Sequence, residues 1–215
     1  MRAGQKLVAD DGYEIMLFPL EYMYMSQDEG GDYSHLYTYS IDFMGWDANG
    51  RILKCPYYAP CTCKCVQASN SGSHRRVYQS VSKVHCPDGY FGIVCFDCLH
   101  DDNPVTALNQ VIPQGNLLGH TGTSSGSGNL TGDHLHFNVA ENSFNGFYDV
   151  GTGHYQLRGS THIYDTCYVN DTVIRQGYNH NWRVYQGGIT PFPNYKKYKF
   201  KWVLYANKLR ERNEN

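Results

Sequence analysis

The stretch TGDHLHFNVA, residues 131–140, sets two histidines one residue apart at the head of an apolar, β-branched run. Side chains of a strand alternate between its faces, so His134 and His136 share one face and Leu135 and Phe137 take the other. Two imidazoles side by side on a sheet suit a shared metal ion or a shared reaction centre. The same spacing suits an ordinary pair of surface histidines equally well, so the decision falls to the rest of the chain. A catalytic zinc takes three protein ligands and keeps a fourth position for water, whose pKa falls to about 7 on the ion. An HxH pair can supply one ligand and one base. SHLYTYSIDF offers His35 and Asp42, and CLHDD offers His100. A carboxylate such as Asp42 within an apolar run needs a partner once buried.

These groups have to be held by strands. YEIMLFPLEYMYM (13–25) reads as one or two strands broken at Pro19, and YSIDF closes another. WDANGRILKCPYYAPCTCKCV turns at Asn49-Gly50 and enters a cysteine-bearing strand, while RRVYQSVSKV and GYFGIVCFDCLH form a hairpin across the Pro-Asp-Gly turn of HCPDG. A short helical turn is expected between Asp101 and Gly119. The Gly/Ser segment 121–132 lacks the Lys of a phosphate-binding loop and reads as a mobile groove wall, where small residues let a peptide approach the backbone. HLHFNV then completes a unit of about 140 residues. From Ser143 the texture shifts to Gly, Tyr and Asn, and alternation at Tyr198, Phe200, Trp202 and Leu204 predicts a last strand before a charged tail. The expected organisation is a β domain at 1–142 and a C-terminal extension at 143–215 that packs on the core, forms a lid or docks on a partner.

The totals agree with an all-β fold: 22 Gly, 14% aromatic residues and only 18% charged residues accompany the short β-branched runs. A net charge of −2 offers no basic field, so nucleic acid is not an expected partner. No window of about 18 apolar residues is present, so no membrane span is expected. Asp10, Asp11 and Glu14 fall where a signal peptide needs its apolar centre, so no leader is evident. The cysteines at 55, 61, 63, 65, 86, 95, 98 and 167 are interleaved with Val, Ile, Phe and Tyr. Core packing is the preferred reading for them, with later disulfides or a second metal site as alternatives. His74, His85, His120, His154, His162 and His180 read as surface or structural.

YSH…SIDF, YYAPCTCKCV, CLHDD, IPQGNLLGHTG and GDHLHFNV occur in that order. Together they resemble the lysostaphin-type (LytM-like) zinc endopeptidases, which cut peptide bonds in peptidoglycan, over roughly residues 15–140. The resemblance implies a mainly antiparallel β structure with a narrow groove and a metal on its floor. It implies Zn²⁺ held by His35, Asp42 and His136. It makes His134 and His100 the catalytic pair: one takes a proton from the attacking water, and the other stabilises the oxyanion or protonates the leaving amine. The family's early motif spaces His and Asp four apart, but Thr38 stands there and His35 lies seven before Asp42. The longer SHxxxxxxD form of phage-type members fits, with a looped-out insertion between Gly31 and Tyr39 returning His35 to the ion. The competing expectation is a degenerate site of Asp42 and His136 alone. The phage-type likeness further implies a tail-associated lysin of a bacteriophage virion, acting at the host cell wall on peptidoglycan peptides, with other tail proteins as partners. A lysis enzyme and an inactive structural tail protein on the same fold are the alternatives.

Overall fold

LHFNVA lies at the middle of the protein because both of its faces are covered. The computed structural model describes residues 1–31, 34–47, 49–126, 128, 130, 132–151, 153–168 and 173–176. The strands that build and flank the site are β1 (Tyr22–Gln27), β2 (Ile41–Asp47), β3 (Pro56–Tyr58), β4 (Cys63–Ala68), β5 (Arg76–Ser80) and β6 (Cys95–Leu99). After them come β7 (Val111–Ile112), β8 (Leu117–His120), β9 (Leu135–Ala140), β10 (Ser160–Thr161) and β11 (Val173–Gln176). One ten-stranded sheet runs in the order β7-β4-β5-β6-β9-β2-β1-β11, with β10 beside β9 and Gly50–Ile52 beside β2. Its pairings are antiparallel except for β11, which runs parallel to β1. A second pair, β3 and β8, lies outside that sheet. The fold is all-β and mainly antiparallel; among the described residues the one α-helix is α1, Ile163–Thr166. The helical turn expected between Asp101 and Gly119 is not formed. The segment instead makes two non-helical turns, closed by Gln110 N–H donating to the Ala107 carbonyl and by Asn116 N–H donating to the Pro113 carbonyl, each at 3.1 Å, the first with Asn109 at a left-handed φ of 69°.

Period-two alternation divides the sheet's labour. Cys98 faces Phe137 and Phe96 faces Val139 across the β6–β9 pair, and Tyr78 stacks on Phe96 at 5.2 Å between ring centroids. With Ile41, Phe43, Cys63 and Cys65 these side chains form the core, all essentially without exposure. Burial of such large apolar groups contributes roughly 1.5–3 kcal/mol each. All eight cysteines are buried and none is in a disulfide. Burial raises the Cys55 thiol to about 11 and Cys95 to about 12, so they stay protonated and pack as small hydrophobes.

The opposite face of the same strands carries His136 opposite Leu99, and Asn138 opposite Asp97. Beyond β9, the described part of the 143–215 extension packs on the same body. Leu157, with Phe144 and Phe147 against it, covers Val77, Cys95 and Ala140, and Ile163, Cys167 and Tyr168 enter the main core. The strand expected at Tyr198–Leu204 lies outside the described residues.

Asp97 is 1% exposed on that second face, and neither of its carboxylate oxygens is hydrogen-bonded within the described residues. Burial pushes its carboxyl up to about 6, against the pull of the Arg75 guanidinium. A carboxyl that binds its proton more tightly folded than unfolded stabilises the fold below its unfolded pKa of about 3.9 and loses that contribution as pH rises through about 6. Asp97→Asn, which mimics the protonated form, is therefore expected to melt higher than the parent at about pH 8, by the equivalent of at most about 3 kcal/mol. The advantage should vanish near pH 4. Thermal melts of both proteins at the two pH values check this, and a variant less stable at the higher pH would contradict it.

Candidate metal centre

Asp42 of β2 and His136 of β9 are directly opposed across an antiparallel pair. At that separation facing side chains touch, and Asp42 Oδ1 stands 3.0 Å from His136 Nδ1. His35 arrives from a loop rather than a strand. The chain turns at Gly31, whose N–H reaches the Asp28 carbonyl at 3.1 Å, and again where Thr38 N–H donates to the His35 carbonyl at 2.8 Å. Tyr37 takes a left-handed φ of 67° to complete the reversal. Glu29 ties this loop to α1, accepting from Ile163 N–H at 3.2 Å and pairing with His162 Nδ1 at 2.5 Å. The seven-residue spacing is absorbed in this way, and His35 Nε2 comes to 3.2 Å from both Asp42 Oδ1 and His136 Nδ1.

The donor set fits a small tetrahedral cation. Ligand bonds of about 2.0–2.2 Å place tetrahedral donors roughly 3.3–3.5 Å apart, and the mutual distances here are 3.0–3.2 Å. His35 Nδ1–H donates to the Asp28 carbonyl at 3.2 Å, which turns the Nε2 lone pair toward the other two donors. Burial works to raise the Asp42 carboxyl, but the His35 and His134 imidazoles and the hydrogen bond from His136 outweigh it and hold Asp42 well below the carboxylate range. Burial lowers His136 to about 4, so its lone pair is free at neutral pH.

Two further imidazoles face this cluster. His134 Nδ1–H donates to the Gly132 carbonyl at 2.7 Å, and its Nε2 stands 3.6 Å from Asp42 Oδ1. His100, just past the end of β6, adopts a left-handed φ of 81°. Its Nδ1–H donates to the Ser124 carbonyl at 2.6 Å, and its ring lies 4.6 Å from that of His134 and 5.9 Å from that of His136. Burial, reinforced by the neighbouring His134 and His136, lowers His100 to about 3. Gly122 lets these two approach: it exchanges backbone hydrogen bonds with His134 at 2.9 and 3.1 Å. A Cβ there would collide with the His100 carbonyl oxygen and sit 2.8 Å from the Asp102 amide. Asp102 Oδ1 accepts from Thr123 N–H at 2.8 Å and Ser124 O–H at 2.9 Å, pinning the start of the Gly/Ser segment.

Asp42 and His136 line a cleft of about 540 Å³, together with His100, His134 and Leu130 of the Gly/Ser segment, while His35, fully buried, stands behind them and off the lining. The structure therefore brings together all five candidates, His35, Asp42, His136, His134 and His100. His120 stands outside the lining, whereas His154, read from the sequence as surface or structural, is part of it.

Sequence reasoning also missed Gln27. This residue is 4% exposed; its Nε2 donates to Asp42 Oδ2 at 3.1 Å and to Ser34 Oγ at 2.8 Å, while its Oε1 accepts from Ser34 N–H at 2.9 Å. One amide thus orients the carboxylate and clamps the loop that carries His35. The available signal was a polar residue at the end of the apolar run YMYMS. Gln27→Ala is expected to weaken zinc binding by roughly 10–100-fold, as loss of such an outer contact does elsewhere. Competition against a chromogenic chelator measures it, and an unchanged affinity would remove Gln27 from the centre.

No family model matches the chain. It is similar to "Morphogenesis protein 1" of Bacillus phage B103, 35% identical over 174 residues, which is 80% of this chain and 45% of that protein. The chain thus spans less than half the length of this relative. Among solved structures it is similar to the antimicrobial peptidase lysostaphin from Staphylococcus simulans, at 22% identity over 57% of this chain and 44% of that one, with a TM-score of 0.41. It is also similar to a zinc-containing peptidase from Vibrio cholerae, at 19% identity over 62% of this chain and 42% of that one, with a TM-score of 0.38.

Proposed function

We propose that this chain is a zinc-dependent endopeptidase that cleaves peptide cross-links of bacterial peptidoglycan. The observation that carries the reading is the convergence of His35 Nε2, Asp42 Oδ1 and His136 Nδ1 within 3.2 Å of one another at the base of a cleft that Asp42 and His136 line, with two more imidazoles beside them. His35, Asp42 and His136 would hold the ion. Bound there, zinc supplies Lewis acidity toward a carbonyl and lowers the pKa of water to about 7. The protein's own groups do the rest. His134 and His100 each have Nδ1–H fixed on a backbone carbonyl, so each presents a bare Nε2. One accepts the proton of the attacking water and gives that same proton to the departing amine; the other, after taking a proton from solvent, steadies the negative charge on the carbonyl oxygen. The cleft positions an extended peptide over these groups. Intact His35, Asp42, His134 and His136 speak against an inactive scaffold.

The setting we infer is a bacteriophage virion, with the protein at the tail opening the host wall during entry. The similarity to a phage morphogenesis protein supports association with the particle over release as a lysis enzyme. Among the described residues no helix is long and apolar enough to cross a membrane.

Digestion of purified cell walls, with mass analysis of the released fragments, tests the activity. New peptide amino termini are expected with the untreated protein, none after chelation, and recovery on adding zinc. Fragments that persist unchanged under chelator, or that arise from glycan cleavage alone, would refute the reading. Immunodetection in purified particles tests the location.

A further inference from the structure

The charge of the cleft points to the kind of peptide it takes, given that the peptidase reading above holds. Among the described residues lining it, Asp42 is the only carboxylate, and it is turned into the His35–His136 cluster. Arg75 is the only guanidinium there, and no lysine joins it. Of those described residues, a substrate lying in the cleft meets one permanently positive side chain and no free acid.

Arg75 is braced without being saturated. It sits one residue before β5 with 19% of its side chain exposed. Its guanidinium stacks 4.4 Å over the Phe147 ring, and one terminal nitrogen donates a long 3.4 Å hydrogen bond to the Tyr155 carbonyl. Its Nε stands 3.4 Å from Asp97 Oδ2 yet makes no hydrogen bond within the described residues. Asp97 thus balances the charge in the free protein and leaves most of the N–H fork unused. Arg75 shares the lining of the cleft with His100, His134 and His136, which puts the positive charge beside the reacting centre. A planar fork held rigid by an aromatic face, with Asp97 near its Nε only and its terminal donors largely unspent, is a receptor for carboxylate.

We propose that Arg75 is a specificity-determining residue that binds a free carboxylate of the peptide substrate near the bond to be cut. The protein then cleaves acidic stem-peptide links and discriminates against amidated links and neutral glycine bridges. Rejection follows because an uncharged group leaves the guanidinium facing Asp97 alone, with its remaining N–H groups unpaired in a half-closed site.

The test uses one preparation of purified walls with free peptide carboxylates and the same walls after carbodiimide-driven conversion of those carboxylates to amides. The readout is the initial rate of new amino termini from the zinc-loaded full chain. Unmodified walls are expected to be cut at least about tenfold faster, which corresponds to about 1.4 kcal/mol. Arg75→Gln should bring the two rates together at the level of the amidated walls. Equal rates on both preparations by the parent protein would overturn the proposal while leaving the peptidase reading intact, and that comparison needs no variant to fold. A parent that cuts neither preparation would overturn the peptidase reading and this proposal with it. An Arg75→Gln protein that slows equally on both would assign Arg75 to holding the hairpin whose antiparallel strands are Phe147–Asp149 and Tyr155–Leu157, against the proposal.

Discussion

The protein carrying His136→Ala is expected to come off purification without stoichiometric zinc and to release no wall fragments above background, whereas the parent is expected to hold about one zinc per chain. His136 sits on the floor of the cleft, paired in register with both Asp42 and Leu99, and among the described residues no other side chain joins His35 and Asp42 within donor distance. His134 reaches the cluster only with Nε2 at 3.6 Å from Asp42 Oδ1. It lies outside the group whose donor atoms approach one another, namely His35, Asp42 and His136. Loss of an outer contact to a ligand costs about 10–100-fold in affinity, so loss of a ligand itself should exceed about 10³. Unfolding is a poor explanation for the same result. Without an ion the His136 ring contributes only its hydrogen bond with Asp42 Oδ1 at 3.0 Å and its contact with His35 Nε2 at 3.2 Å, while the main-chain pairing of β9 with β2 and β6 does not depend on the side chain. Urea titrations in chelator should place the metal-free variant within about 1 kcal/mol of the metal-free parent. A His136→Ala protein that still carries zinc and digests walls would show that the centre lies elsewhere.

His134→Ala should separate metal binding from chemistry. Its zinc content is expected to match the parent, while hydrolysis falls by about 10²–10⁴-fold, the usual share of a positioned proton-transfer group. Local structure should survive, because the bonds that join this position to Gly122 run through the main chain at 2.9 and 3.1 Å. The side chain contributes only the hydrogen bond to the Gly132 carbonyl at 2.7 Å. Metal analysis and wall digestion on one preparation read both quantities. Parent-level cleavage by the variant would exclude His134 from proton transfer, and loss of zinc would move it into the ligand set.

How much of this was legible in the chain depends on the range over which each feature is encoded. Strand periodicity is local. Alternation alone put His134 and His136 on one face and Leu135 and Phe137 on the other, and the short β-branched runs with Gly and Pro-Asp-Gly turns announced an all-β fold. The cysteines read as core residues for the same reason, each sitting in an apolar run, and all eight are buried. Gly122 gave no such signal, because its role is to admit a carbonyl from another loop.

What only the tertiary structure decided was distance between parts remote in sequence. His35 and His136 meet across 101 residues, and the odd seven-residue spacing to Asp42 is absorbed by turns at Gly31 and Tyr37 together with the anchor that Ile163 of α1 gives Glu29 from 134 residues away. Gln27 looks like an ordinary strand end until Asp42 and Ser34 arrive on either side of its amide. Arg75 becomes a feature of the cleft only when Phe147 and Tyr155 of the later hairpin close over it. Hydrophobic patterning is written residue by residue along the chain. The pairing of buried polar groups is settled only when packing removes water and each donor must find a partner wherever the fold supplies one.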